Sequence, residues 1–164
     1  MSRIRFVNRT IEALQSAPAN TRLYVGADSV RYQKGNRAFA KITVVSVIHL
    51  AGSKGCRVIP YVETREVFDK NLGRPQHRMM TEAMLLSEVY LLLEEALIES
   101  DLLNIPVEIH LDIASDKQHG SNCAAKQAAG YIMGTCNIEP KLKPEAWAAS
   151  TAADLAPKKL KNVA

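Results

Sequence analysis

Four acidic residues stand among apolar or small neighbours: Asp28 in Val25-Gly26-Ala27-Asp28-Ser29, Glu82 in Arg78-Met79-Met80-Thr81-Glu82, Asp112 in Ile109-His110-Leu111-Asp112-Ile113 and Asp154 in Ala152-Ala153-Asp154-Leu155-Ala156. A lone carboxylate in such surroundings is costly, and carboxylates are rarely buried without a partner. Brought together, the four would repel one another unless a cation sat between them. An all-oxygen ligand set suits Mg²⁺ or Mn²⁺. The pattern therefore points to metal-dependent chemistry on phosphates.

Each acid also has an ordinary reading. Asp112 could cap the helix that follows, and Asp116 is better placed for that role. Glu82 near a helix start could simply favour the helix dipole. Asp154 could be a solvated helix residue. Glu88 is the second candidate for the helix carboxylate, but the Arg78 context favours Glu82. Ser29 could hydrogen-bond a ribose or phosphate, or be a plain strand-end hydroxyl. Lys143 and Arg78 are candidates for phosphate contacts, against the alternatives of a surface lysine and a helix start. His119 could assist proton transfer, or be an exposed loop residue. Trp147 could stack on a base, but a lone aromatic among alanines is usually core.

The elements that would position these residues can be read from periodicity. Residues 3–16 form an amphipathic helix with Ile4, Val7, Ile11 and Leu14 on one face, ended by Pro18. Strands follow at 23–30, 38–50 and 56–64, separated by turn signals at 33–36 and 51–55. The β-branched centre of the second strand predicts burial on both faces. Residues 77–100 form one long helix, apolar nearly all round, which marks it as central. A strand at 107–113, a helix at 117–133 ended by Gly134, a strand at 136–143 and a helix at 144–155 complete the order. Three antiparallel strands followed by strands returning through helices predict an α/β fold, a mixed sheet with helices on both faces. The first and fourth strands would be neighbours, bringing Asp28 and Asp112 to one end of the sheet.

Bulk properties restrict the class. The 164 residues suit one domain with its own core, about 20–156, and a basic tail at 157–164. The net charge of +4 favours an anionic partner only weakly. Basic residues are scattered, although Lys141, Lys143 and the Lys158–Lys161 tail lie near the Asp154 segment and could form a phosphate-tracking rim. No apolar run is long enough to cross a membrane, and Met1-Ser2-Arg3-Ile4-Arg5 lacks a signal-peptide core. Three widely spaced cysteines fit neither a disulfide framework nor a zinc site, so a reducing cytoplasm is expected.

The order Asp, Glu, Asp, Asp on these elements resembles the active site of the ribonuclease H fold. Several words resemble the ribonuclease H-like YkuK family in particular: Gly26-Ala27-Asp28-Ser29, His110-Leu111-Asp112-Ile113, Gly130-Tyr131-Ile132-Met133-Gly134, and Lys143-Pro144-Glu145-Ala146-Trp147-Ala148-Ala149-Ser150 leading into Ala153-Asp154. The last is the most specific. The resemblance covers most of residues 20–156 and implies a mixed sheet with a Mg²⁺ or Mn²⁺ site. In that reading two ions lie roughly 3.5–4 Å apart. Asp28 would bridge them, Glu82 and Asp112 would hold one, and Asp154 the other. Crowding should raise the pKa values of the acids when no metal is bound. The expected partner is nucleic acid: RNA, an RNA–DNA hybrid or DNA. Exonuclease activity and junction-resolving activity are both compatible, the latter requiring a homodimer. The alternative is a nucleic-acid-binding module that keeps the fold without catalysis.

Overall fold

The computed structural model describes residues 1–52 and 54–149. Asp154 and the basic tail therefore lie outside the described residues, as does the second half of the predicted last helix.

Helix α1 (Arg3–Gln15) starts where Ser2 Oγ accepts a hydrogen bond from the Arg5 amide. Its buried face is Phe6, Val7, Thr10, Ile11, Ala13 and Leu14. Ile4 was expected on that face but is 69% exposed. The core lies one helix stripe away, where Phe6 packs on Tyr61.

Strands β1 (Arg22–Lys34), β2 (Arg37–His49) and β3 (Cys56–Glu66) form an antiparallel meander. The β1–β2 ladder runs on to Lys34↔Arg37, so the turn shrinks to Gly35-Asn36, with Gly35 at φ 59°. β1 is thus longer than its apolar pattern indicates, because backbone pairing continues past the last buried residue. In β2 every residue from Ile42 to Ile48 is buried, as the β-branched run predicts. Pro60 is accommodated because β3 is an edge strand.

Helix α2 (Gln76–Glu99) crosses the sheet and returns the chain to β4 (Val107–Ala114), which pairs parallel with β1. A short 3₁₀ turn (Gly120–Ala124), helix α3 (Ala125–Cys136) and β5 (Lys141–Lys143) follow, β5 pairing parallel with β4. The sheet order is β3-β2-β1-β4-β5. One face packs on α1, α2 and α3 around Leu23, Val25, Leu85, Leu86, Leu93, Ile109 and Leu111. The other is covered at its centre by the helical turn at 147–149, where Ala148 meets Val45 and Val47. The mixed α/β sheet with helices on both sides is thus observed.

Several details depart from the periodicity. α2 is not apolar-packed all round: Met84, Leu91 and Leu92 are each about two-fifths exposed. The helix expected from Lys117 begins only at Ala125. Ser121 Oγ accepts from the Ala114 amide, and Asn122 Nδ2 donates to the carbonyls of Ala114 and Ser115, so these side chains serve the end of β4. α3 runs through Gly134 and stops at Asn137, which takes the left-handed conformation at φ 54°. The strand expected from Cys136 is consequently confined to Lys141–Lys143.

Candidate functional site

The β1–β4 ladder ends at Ala27↔Leu111, although both strands continue. The next residue in each is a carboxylate, Asp28 and Asp112. They stand side by side at the carboxyl end of two parallel strands, the usual location of sites in open α/β sheets. Side chains alternate along a strand. Ala27 and Leu111 belong to the core under α2, so Asp28 and Asp112 face the side covered by residues 146–149. Ser29 faces α2.

Glu82 reaches the same place from the α2 side. It is fully buried, and neither carboxylate oxygen has a hydrogen-bond partner among the described residues. Burial pushes its pKa well above the usual carboxylate range, and the charges of Asp28 and Asp112 push it the same way. Ser29 and Arg78 oppose the rise. Ser29 faces the carboxyl without forming a full hydrogen bond, since its buried Oγ also lacks a partner among the described residues. Glu82 thus feels the charge of two of the other three acids expected from the sequence, and the three approach from both faces of the sheet around the open end of a ladder.

The flanking groups are fixed by backbone contacts. The Ser29 amide donates to Asp28 Oδ1 at 2.7 Å. Arg78 Nη1 donates to the Ser29 carbonyl at 3.3 Å, tying the start of α2 to β1. Lys143 Nζ lies 2.7 Å from Asp112 Oδ1. Among the described residues, no three His, Cys, Asp or Glu side chains form a ready-made metal-binding group. The residues nevertheless suit a hard divalent cation: all donors are oxygens, and Glu82 is a buried acid whose oxygens have no partner among the described residues.

Other candidates lie elsewhere. Glu88 is occupied by Arg65 at 2.6 Å and Arg3 at 3.0 Å, and the Arg65 hydrogen bond lowers its pKa. It belongs to an ion-pair cluster with Glu63 between α1, α2 and β3. His119 is exposed, and Asp116 accepts from the Gln118 amide in a local turn. Trp147 is 42% exposed rather than core, packed on Tyr24 and His110.

Two residues with positioning roles had been passed over. Asp69, in the loop before α2, accepts from the His77 and Arg78 amides at 2.7 and 2.9 Å. It thereby caps a helix whose own N-cap position, Pro75, cannot. The Asp69-to-Arg78 spacing gave no sign of this, because the cap is not local in sequence. His110 is buried, and its Nδ1 accepts from the Ala148 amide at 3.1 Å. The proton therefore resides on Nε2, which faces Glu108 at 3.5 Å. Burial lowers the His110 pKa and keeps the ring neutral. Its place two residues before Asp112 was the available signal.

His110 and Gly26 together seat the segment that leads toward Asp154. A Cβ on Gly26 would lie 2.8 Å from Ala149 Cα and 2.9 Å from its amide nitrogen. Gly26→Ala is expected to push residues 146–149 off the sheet and cost about 1–3 kcal/mol. Hydrogen exchange at the Ala148 amide reads the change. Protection equal to wild type would mean that the segment is not seated through Gly26.

The family model described as Ribonuclease H-like matches residues 6–158, nearly the whole chain. No curated protein matches the chain significantly.

Proposed function

The chain belongs to the ribonuclease H-like family, and from that premise we propose that it is a divalent-metal-dependent nuclease of the YkuK type. It would hydrolyse phosphodiester bonds of RNA, an RNA–DNA hybrid or DNA. The observation that carries this reading is Glu82, a buried carboxyl whose two oxygens have no hydrogen-bond partner among the described residues, under the charge of Asp28 and Asp112. Retaining such an arrangement costs stability, which a bound cation would recover.

In this proposal Asp28, Glu82, Asp112 and Asp154 would together hold Mg²⁺ or Mn²⁺. What Mg²⁺ or Mn²⁺ supplies when bound is an activated water and charge neutralisation at the leaving oxygen. The chain's own groups orient the rest. The Ser29 amide fixes the Asp28 carboxylate through Oδ1. Arg78, half-buried and anchored on the Ser29 carbonyl, presents a guanidinium to a phosphate entering beside Asp28. Lys143, on the opposite side, contacts the same backbone.

The test is cleavage of labelled RNA, hybrid, single-stranded DNA and branched DNA with Mg²⁺, with Mn²⁺, and with a chelator. Cutting of at least one substrate with metal, lost with chelator, is the expected result. Binding without cutting under every metal condition would move the assignment to the second reading, a non-catalytic nucleic-acid module. That reading is favoured by one observation: the Lys143 ammonium already meets the Asp112 carboxylate from within the chain. It predicts salt-dependent binding that survives metal removal.

A further inference from the structure

Lys143 is held unusually firmly for a surface lysine. It ends β5, in register with Ala114 of β4, and its carbonyl accepts from both the amide and the hydroxyl of Ser115, at 3.3 and 2.8 Å. These backbone contacts aim the side chain at Asp112, where the ammonium and carboxylate meet at 2.7 Å. The Asp112 oxygen that meets the ammonium is buried, whereas the Lys143 side chain is 44% exposed, so the ammonium is the member of the pair that can turn to an outside anion. A cleft of about 260 Å³ lined by Ser115, Asp116, His119, Ser121 and Lys143 opens beside it.

We propose that Lys143 is an internal counter-cation for Asp112, exchanged on binding: a divalent ion takes the carboxylate as a substrate phosphate takes the ammonium. The inference rests on the nuclease reading and adds a coupling to it. Without a phosphate, a metal must displace the ammonium from Asp112 and leave it near a second positive charge. With a phosphate in the cleft, the ammonium has a new anionic partner and the metal meets a freed carboxylate. Metal and nucleic acid then strengthen each other's binding by the same factor. A chain of this kind would hold its metal weakly at rest and tightly once a substrate backbone is seated.

The experiment is calorimetric titration of Mn²⁺ into the full chain, alone and with a phosphorothioate oligodeoxynucleotide. Four proteins are compared: wild type, Lys143→Met, Lys143→Arg and Lys141→Met. Lys141 lies two residues earlier in β5 and pairs with Glu145 instead, so its removal reports the general effect of losing one positive charge. Lys143→Met should bind Mn²⁺ about five- to tenfold more tightly than wild type without the oligonucleotide, and gain little from its addition. Wild type and Lys143→Arg should gain about fivefold on addition. Lys141→Met should follow wild type in Mn²⁺ affinity without the oligonucleotide. Equal affinities for Lys143→Met and Lys141→Met, with wild type binding Mn²⁺ normally, would overturn the exchange while leaving the nuclease reading intact. Absence of Mn²⁺ binding in all four proteins, with and without oligonucleotide, would overturn both.

Discussion

Asp28→Asn lowers metal-dependent cleavage by about 10³-fold, equivalent to about 4 kcal/mol in the barrier, and leaves the fold intact. The fold should survive because the substitution keeps what the structure uses. An asparagine carbonyl oxygen can still accept from the Ser29 amide, as Asp28 Oδ1 does at 2.7 Å. The backbone at this position is still paired with Thr43 of β2. What is lost is one of the negative charges that act on Glu82. Replacing the acid by an amide weakens a hard cation's binding and removes charge next to the reacting phosphate. Single-turnover cleavage, Mn²⁺ titration and thermal unfolding separate these effects. Unchanged unfolding with lost Mn²⁺ affinity and lost cleavage is the expected combination. Cleavage within tenfold of wild type would remove Asp28 from the metal site.

The sheet could be anticipated because its signals are local. The β-branched run of β2 and the Gly35 and Gly52 turns mark the meander, and the helix between β3 and β4 requires a crossover. The parallel return then places Asp28 beside Asp112. Interactions that cross the chain without a local pattern could not be anticipated. Lys143 and Asp112 are joined only by the short β4–β5 pairing. Asp69 caps α2 from a loop whose length conceals the role. Gly120 abuts the Gly73 carbonyl, which goes with a break in a segment whose periodicity reads as helix. Ile4 and Phe6 differ in burial because α1 turns Phe6, not Ile4, toward Tyr61 of β3. The same limit applies to the acids. Their types and order are visible in the sequence, whereas the full burial of Glu82, with no partner for its oxygens among the described residues, is a property of the packed sheet and helix. Asp154 rests on order and flanking words alone, since it lies outside the described residues.

Glu82→Gln should stabilise the metal-free chain, and only above the ordinary carboxylate range of pH. The folded-state pKa of Glu82 is raised well above 4.5, so the fold favours its protonated form. That preference contributes stability fully below about pH 4.5 and loses it as pH rises through the folded-state pKa. Glutamine is neutral at every pH and escapes the loss. Wild type and variant should therefore melt together in acid and separate as pH rises. The carboxyl and the glutamine amide are buried alike, so the separation reads the charge and widens with pH until Glu82 is fully ionised. Other titrating groups cancel in the comparison. Glu66 and Glu88, whose pKa values are lowered by arginine partners, lose stability as pH falls in both proteins, and buried His110 does the same below about 6.5. Saturating Mn²⁺ should then reverse the order. A cation bound to the folded state stabilises wild type by mass action, and the variant lacks the charge that would hold it. Scanning calorimetry across pH, with chelator and with Mn²⁺, reads both effects. Parallel Tm curves for the two proteins in chelator would mean that the Glu82 carboxyl carries no electrostatic strain. A crossover on adding Mn²⁺ would identify that strain as the cost of keeping a metal ligand in a dry site.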